Sequence, residues 1–170
     1  VQSGANVKST LSTLTTFTYG ANASFQDYTN QTVPSANTPA VVTFSVTDWA
    51  TGVTLVSGSQ LTVTNAGKYN FQFSIQFNCT SVQLQDVYVW LRKNGTDIGG
   101  STGLVSVPNS HGGVDGHAIV GWNFFLDLAA NDYIQLAWTA ASTTVSIKTI
   151  AAGANWPSTA SVVMTVNQVS

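Results

Sequence analysis

The chain has 170 residues, a formal net charge of −2 and only 7% charged residues. This length suits one domain of ordinary size, and a hydrophobic content of 44% excludes an intrinsically disordered chain. Five Lys and Arg residues are too few for the basic surface of a nucleic-acid-binding protein. No apolar run approaches the ~20 residues of a membrane span, so we expect no nucleic-acid partner and no membrane insertion.

The N-terminal segment differs in composition from the rest of the chain. Residues 1–16 are rich in Ser and Thr and alternate only weakly, so we interpret them as an arm or attachment segment. Residues 17–170 are then a single domain. Within it, residues 68–77 are the clearest strand, because large apolar residues occupy every second position and share one face. These residues are Tyr69, Phe71, Phe73, Ile75 and Phe77.

The remaining elements also have the period of β-strands. Apolar residues alternate over 42–46, 61–63, 145–147 and 162–166. Asn94-Gly95 is the strongest hairpin signal, because a type I′ turn needs positive φ at both central residues. Residues 104–117 have the composition of a long loop, and no segment favours a helix. The pattern predicts an all-β, antiparallel jelly-roll sandwich of about nine to ten strands.

Two predicted strands carry large apolar residues on both faces. On the strand over 86–91, Tyr88 and Trp90 take one face and smaller apolar residues take the other. On the strand over 118–128, Ile119 and Phe125 lie opposite a face that includes Trp122 and Phe124. A two-sheet sandwich buries only the inner face of each sheet. We therefore expect a second copy of the chain to cover these four residues, with the arm or loops of the same chain as the alternative cover.

The polar residues do not predict an enzyme. All seven acidic residues are Asp, so the chain has no Glu to serve in acid–base catalysis. His111 and His117, with Asp115 between them, have a spacing that a metal site could use, but we interpret them as part of an exposed loop. We expect no catalytic residues, no metal and no other cofactor.

Two tryptophans are candidate contacts for a ligand. Trp49 and Trp156 lie in predicted loops beside Asn and Thr residues, where an exposed indole would suit a sugar or a receptor surface. The alternative is that each ring closes one end of the sandwich or packs on a neighbouring subunit. If the chain binds a receptor, these rings and the loop with His111 and His117 are the predicted contacts.

Three strings resemble those of a known superfamily. Residues 64–74 are similar to the "G-x-Y-x-F" strand of the globular domain of complement component 1q and its tumour-necrosis-factor-like (TNF-like) relatives. Residues 87–96 match the strand that ends in a Lys-Asn-Gly turn in these proteins. Residues 124–136 match the "L-x-x-G-D-x-V-x-L" hairpin, with Asn131 in place of Gly, a change that the turn tolerates because Asn accepts positive φ.

A viral branch of this superfamily is more similar still. Residues 23–32, 90–96 and 122–124, and Pro157-Ser158, resemble strings in virion proteins of tailed phages, particularly marine ones, and the resemblance spans roughly 20–169. It implies a TNF-like homotrimer on the particle surface, a capsid decoration or head-fibre protein whose partners are itself and major capsid or tail proteins. Three copies would bury the four residues named above. The alternative is a tip domain of a tail or head fibre that binds a host surface glycan or receptor. A cytokine-like adhesin is a third, weaker interpretation.

Overall fold

The computed structural model describes residues 20–170, and the predicted arm at residues 1–16 lies outside them. The described residues contain fourteen strands and no helix. Every strand pairing is antiparallel, and the strands form two sheets of seven that pack face to face. The predicted jelly-roll sandwich is therefore confirmed. The count exceeds nine to ten because three strands, Gln31–Thr32, Ala40–Val41 and Thr96–Asp97, have only two residues each, too few to show an alternating pattern, and because a fourth, Gly103–Val107, lies mostly in the segment predicted to be a loop.

The strands are, in chain order, β1 Asn22–Asp27, β2 Gln31–Thr32, β3 Ala40–Val41, β4 Val46–Thr51, β5 Val53–Val56, β6 Gln60–Val63, β7 Gly67–Cys79, β8 Gln85–Lys93, β9 Thr96–Asp97, β10 Gly103–Val107, β11 Gly116–Leu128, β12 Tyr133–Ala140, β13 Val145–Ile147 and β14 Val162–Gln168. In sheet A, β7 pairs with β11 on one side and with β14 on the other, and β1 and then β4 follow β14. The short strand β13 also pairs with β7, on the side of β14, and β2 pairs with β13. Sheet B has the order β10-β8-β12-β6-β5, and β3 and β9 pair with β12 and β8.

The core lies between the two sheets and follows the predicted alternation. All five apolar residues of β7 that were predicted to share a face are buried. Trp138 of β12 faces them from sheet B, and Met164 of β14 lies beside them in sheet A, opposite Phe73; both are fully buried. Phe77 and Trp138 pack with ring centroids 5.6 Å apart across the sandwich. The predicted hairpin is also present, since Asn94 and Gly95 have φ values of 51° and 80°.

Two of the predicted elements differ from the structure. Residues 42–45 are the crossover from sheet B to sheet A rather than a strand, although Val42 and Phe44 are buried as expected. An extended crossover alternates its side chains as a strand does, so periodicity alone cannot separate the two. Residues 104–117, predicted to be a long loop, include most of β10 and the start of β11, and only 108–115 connect them.

Candidate interaction surfaces

The outer face of sheet A exposes two large apolar side chains on β11. Ile119 is 72% exposed and Phe125 is 64% exposed, while the alternate residues of this strand point into the sandwich. Six residues at ~3.3 Å each separate them by about 20 Å along the strand. We call these two residues the Phe125 patch.

The surface around the Phe125 patch is polar and almost uncharged. Gln76 lies opposite Ile119, and Asn70 lies opposite Phe125 on β7. Between them, Asn123 donates a hydrogen bond from Nδ2 to Oδ1 of Asn70 at 3.3 Å. Residues 116–126 of β11 include no Asp, Glu, Lys or Arg, so a partner covering them would desolvate amides and apolar groups. Asp127 and Lys68, which lie opposite each other and are exposed, are the charged residues beside Phe125.

A second exposed apolar pair lies on the outer face of sheet B. Tyr88 of β8 lies directly opposite Leu104 of β10, and both side chains are exposed. Residues directly opposite each other in an antiparallel pair contact one another. We call them the Tyr88 patch. The sequence did not identify Leu104 as a surface apolar residue, because residues 104–117 were predicted to be a loop.

Trp90 shares the face of Tyr88 but is covered by its own chain. It is 8% exposed, and its Nε1 donates to Oδ1 of Asp97 at 2.7 Å. Arg92 lies over the indole, with its guanidinium 5.7 Å from the ring centroid. Hydrogen bonds from Trp90 and Arg92 lower the pKa of Asp97. The expectation that Trp90 needs a second copy for cover is therefore wrong, because Asp97 of strand β9 covers it within the same chain.

The four predicted interface residues do not form one surface. The Phe125 patch and the Tyr88 patch lie on the outer faces of opposite sheets, but both flank the same edge of the sandwich. At this edge the Trp122 ring of β11 lies against Gly103 of β10, where an added Cβ would come within 2.1 Å of the ring. The two patches are thus separate and close to one exposed edge.

His111 and His117 lie in and beside a tight hairpin rather than a long flexible loop. His111 and Val114 exchange backbone hydrogen bonds at 2.9 and 3.0 Å around Gly112 and Gly113, both with positive φ. Asp115 binds Nζ of Lys148 at 3.2 Å, and this contact lowers its pKa. In residues 20–170, no group of three His, Cys, Asp or Glu side chains is placed to hold a metal ion.

Trp49 lies on a strand and not in a loop as predicted. It is on β4 opposite Ser24, at the far edge of sheet A from β11, and is 54% exposed. A β-bulge beside it lets Asp48 accept hydrogen bonds from Ser24 and Gln26 at 2.7 and 2.6 Å. The indole of Trp49 therefore projects from the face of a sheet rather than from a loop.

Trp156 is the predicted ligand contact that does lie in a loop. The connection 148–161 leaves sheet A near the end of the sandwich where β7 ends, close to the loops 80–84 and 108–115. Hydrogen bonds tie this end together: Ser110 N to Ser81 O, Thr149 N to Asn30 Oδ1 and Lys148 Nζ to Asn78 Oδ1. Further exposed apolar residues here, which the sequence analysis missed, are Tyr28, Val82, Leu84, Val114 and Ile150.

Asp27 supports this end from inside. Its carboxylate is buried and accepts hydrogen bonds from Ser45 Oγ, Gln31 Nε2 and both Oγ1 and the backbone N of Thr29. Burial by itself raises the pKa of Asp27, but these hydrogen bonds outweigh it and the pKa lies below the ordinary value. These hydrogen bonds to the Asp27 carboxylate stabilise the turn after β1.

The described chain begins and ends at the opposite end of the sandwich. Ala21 and Gln168 are joined by hydrogen bonds of 3.1 and 2.7 Å, and Ser170 O accepts from Lys68 N at 2.9 Å. The loops around Trp156 are thus remote from both ends of the described residues. Across 20–170 there is no helix with the length and apolarity needed to cross a membrane.

No protein-family model matches the chain, and no curated protein is similar to it in sequence. Among solved structures, the globular domain of zebrafish complement 1qA protein is similar, with a TM-score of 0.53 and 12% sequence identity. The match covers 88% of this chain and 98% of that one. At this identity the likeness concerns the fold, so the chain has the jelly-roll fold of a complement 1q globular domain.

Proposed function

We propose that the chain is a non-enzymatic virion structural protein, a homotrimer on the surface of a tailed-phage particle that serves as capsid decoration or head fibre. The observation that carries the assembly part of this proposal is the presence of two exposed apolar patches beside one edge of the sandwich. The resemblance of the strings around Trp90 and Pro157 to phage virion proteins supports the particle as its location.

Two different patches favour a head-to-tail contact. A two-fold contact joins the same patch on both copies, whereas a ring joins one patch to a different patch on the next copy. The Tyr88 patch of one copy would meet the Phe125 patch of the next copy. The ring is closed when every Tyr88 patch contacts the Phe125 patch of a neighbour. Three copies is the number that the sequence resemblance to TNF-like proteins implies.

The chemistry around the Phe125 patch suits a permanent interface. Burying a charge without a partner costs several kcal/mol, and Asn70, Gln72 and Asn123 bring none. Their carboxamides both donate and accept hydrogen bonds, so they are able to pair with equivalent groups on another copy. The apolar side chains supply the driving force and the amides fix the register.

The proposed partners lie at the end where the described chain begins. We place the contact with major capsid or tail proteins at residues 1–16, which precede Gly20, and the loops around Trp156 then point away from the particle. Deleting residues 1–16 would leave the trimer intact but remove it from particles. A deleted form that still coats particles would overturn this placement.

Light scattering on single-patch variants tests the assembly. Leu104→Asp and Phe125→Asp should each convert the trimer to single chains, because each removes one half of every contact. Leu84→Asp is the matched control, since Leu84 is 56% exposed and Leu104 57% but Leu84 lies in the loop between β7 and β8. If Leu104→Asp keeps the wild-type mass, the two patches do not meet.

Immunoelectron microscopy tests the virion role separately. Antibodies raised against the purified chain should label the surface of intact particles from the source of the sequence. Label confined to cell surfaces, with none on particles, would contradict the virion role. The proposed trimer is tested independently, by the mass of the assembly.

A further inference from the structure

The loop that carries Trp156 is held in shape by its own backbone. Thr159 N donates to Ile150 O at 2.9 Å, which closes the loop at its base, and Thr149 Oγ1 donates to Thr159 O at 2.6 Å. Nearer the tip, Gly153 N donates to Trp156 O at 3.0 Å. These bonds fix the backbone on both sides of the indole.

The indole of Trp156 rests on Gly153. A Cβ added to Gly153 would lie 2.4 Å from Cε2 and 2.5 Å from Cζ2 of the ring, so only glycine allows this contact. One face of the ring is thus against the backbone, and the residue remains 56% exposed. A fixed aromatic ring loses little conformational entropy when a ligand packs on it.

We propose that this ring is the stacking platform of a binding site for a neutral carbohydrate, an activity that goes beyond assembly of the trimer. The C–H groups on one face of a pyranose ring form an apolar surface of about the size of an indole. Asn155 and Ser158 supply exposed amide and hydroxyl groups beside it for the sugar hydroxyls.

The loop has no charged side chains, and this limits which ligands with a flat face can bind to it. Residues 149–170 contain no Asp, Glu, Lys or Arg. An acidic sugar, a phosphate or a nucleic acid would need cationic partners, and Lys148, just before this segment, is paired with Asp115. The ligand is therefore an uncharged sugar.

Trp49 provides a matched comparison. It is exposed to nearly the same extent, 54%, but it projects from the β4 face and does not rest on a glycine. An exposed indole alone would bind at both positions, whereas a fixed platform binds at Trp156 only.

Nuclear magnetic resonance on the full-length, ¹⁵N-labelled chain tests the proposal. The five tryptophans give five indole N–H signals, and the one missing from Trp156→Ala belongs to Trp156. The probes are methyl β-glucoside, methyl β-galactoside, N-acetylglucosamine, cellotetraose and chitotetraose, each titrated to millimolar concentration. We expect at least one of them to shift the Trp156 signal and leave the Trp49 signal in place.

Three variants, with affinities measured by saturation transfer to the sugar protons, identify the cause of binding. Trp156→Ala should weaken binding at least tenfold, and Gly153→Ala severalfold, because the added Cβ displaces the ring without removing it. Trp49→Ala should bind as wild type, and unchanged backbone spectra outside the loop will show that each variant is folded.

Four results would each overturn the proposal. The first is that none of the five probes shifts the Trp156 signal. The second is that Gly153→Ala binds as tightly as wild type, and the third is that Trp49→Ala weakens binding as much as Trp156→Ala. A fourth is protection of the Trp156 indole from acrylamide quenching in the assembled protein, which would show that another copy covers it. None of these results bears on the mass of the assembly, so the proposed trimer stands or fails separately.

Discussion

Replacing Asp27 by Asn should destabilise the chain strongly, because this buried carboxylate organises the turn after β1. It accepts four hydrogen bonds, two of them at 2.5 Å from Ser45 Oγ and Thr29 Oγ1 and two at 3.1 Å from Thr29 N and Gln31 Nε2. A hydrogen bond to a charged group contributes about 1.5–3 kcal/mol. The Asn side chain keeps one acceptor oxygen but turns an NH₂ group toward donors. We expect a loss of about 3–5 kcal/mol in the free energy of unfolding, comparable to breaking a buried ion pair.

The assay is urea unfolding followed by tryptophan fluorescence at one fixed protein concentration, since assembly makes apparent stability depend on concentration. Asp86→Asn is the control. Asp86 accepts a hydrogen bond from Ser106 at 2.6 Å in a more exposed position, so its loss should be about 0.5 kcal/mol. A loss below ~1 kcal/mol for Asp27→Asn would refute the role given to this carboxylate.

The same substitution should flatten the dependence of stability on pH. The pKa of Asp27 is lowered from 3.8 in the folded chain. A depressed folded pKa contributes stability that is complete above the unfolded pKa and is lost as the pH falls through the folded one. Wild type should therefore lose stability below about pH 4, and Asp27→Asn should lose less over the same interval. Equal slopes in the two proteins would contradict the low pKa.

Three further predictions concern packing, salt and turn geometry. Gly103→Val places a side chain against the Trp122 ring, 2.1 Å from an added Cβ, and should lower the free energy of unfolding by about 1–3 kcal/mol in urea titrations; wild-type stability would mean that the ring does not close this edge. The mass of the assembly should be the same in 50 mM and 1 M NaCl, because the residues that form its two patches are apolar and salt screens only charges; dissociation at high salt would point to an ionic interface. Asn131 has a φ of 68°, so Asn131→Ala should cost about 1 kcal/mol in thermal unfolding while Asn131→Gly should not; equal effects would contradict the turn geometry.

The sequence predicts the core of this fold well because the core depends on local alternation. The pattern of β7 requires only that every second residue be apolar, and Asn94-Gly95 requires only a positive φ at two positions. Both kinds of information lie within a few residues of the chain. Pairing is different: residues 42–45 alternate correctly but cross between the sheets, and no local signal distinguishes the two.

The interaction surfaces are only partly predictable for the same reason. The sequence identifies Tyr88, Ile119 and Phe125 as outward apolar residues, and the structure exposes all three. Trp90 looks identical by alternation but is covered by Asp97 in the two-residue strand β9, which no period reveals. The contact between Trp156 and Gly153 depends on how the loop folds, and a Gly three residues before a Trp does not predict it.

The most direct test of the account is the mass of the wild-type chain by light scattering from 1 to 100 µM. The two-patch contact predicts a closed ring, and the resemblance to TNF-like proteins implies three copies in it. The expected mass is therefore three times the 17.9 kDa chain mass at all concentrations above its dissociation range, with no larger species. A mass of one chain throughout would show that the exposed patches do not assemble the protein. A mass of two chains would show a two-fold contact instead of a ring, and would contradict the pairing of the Tyr88 patch with the Phe125 patch.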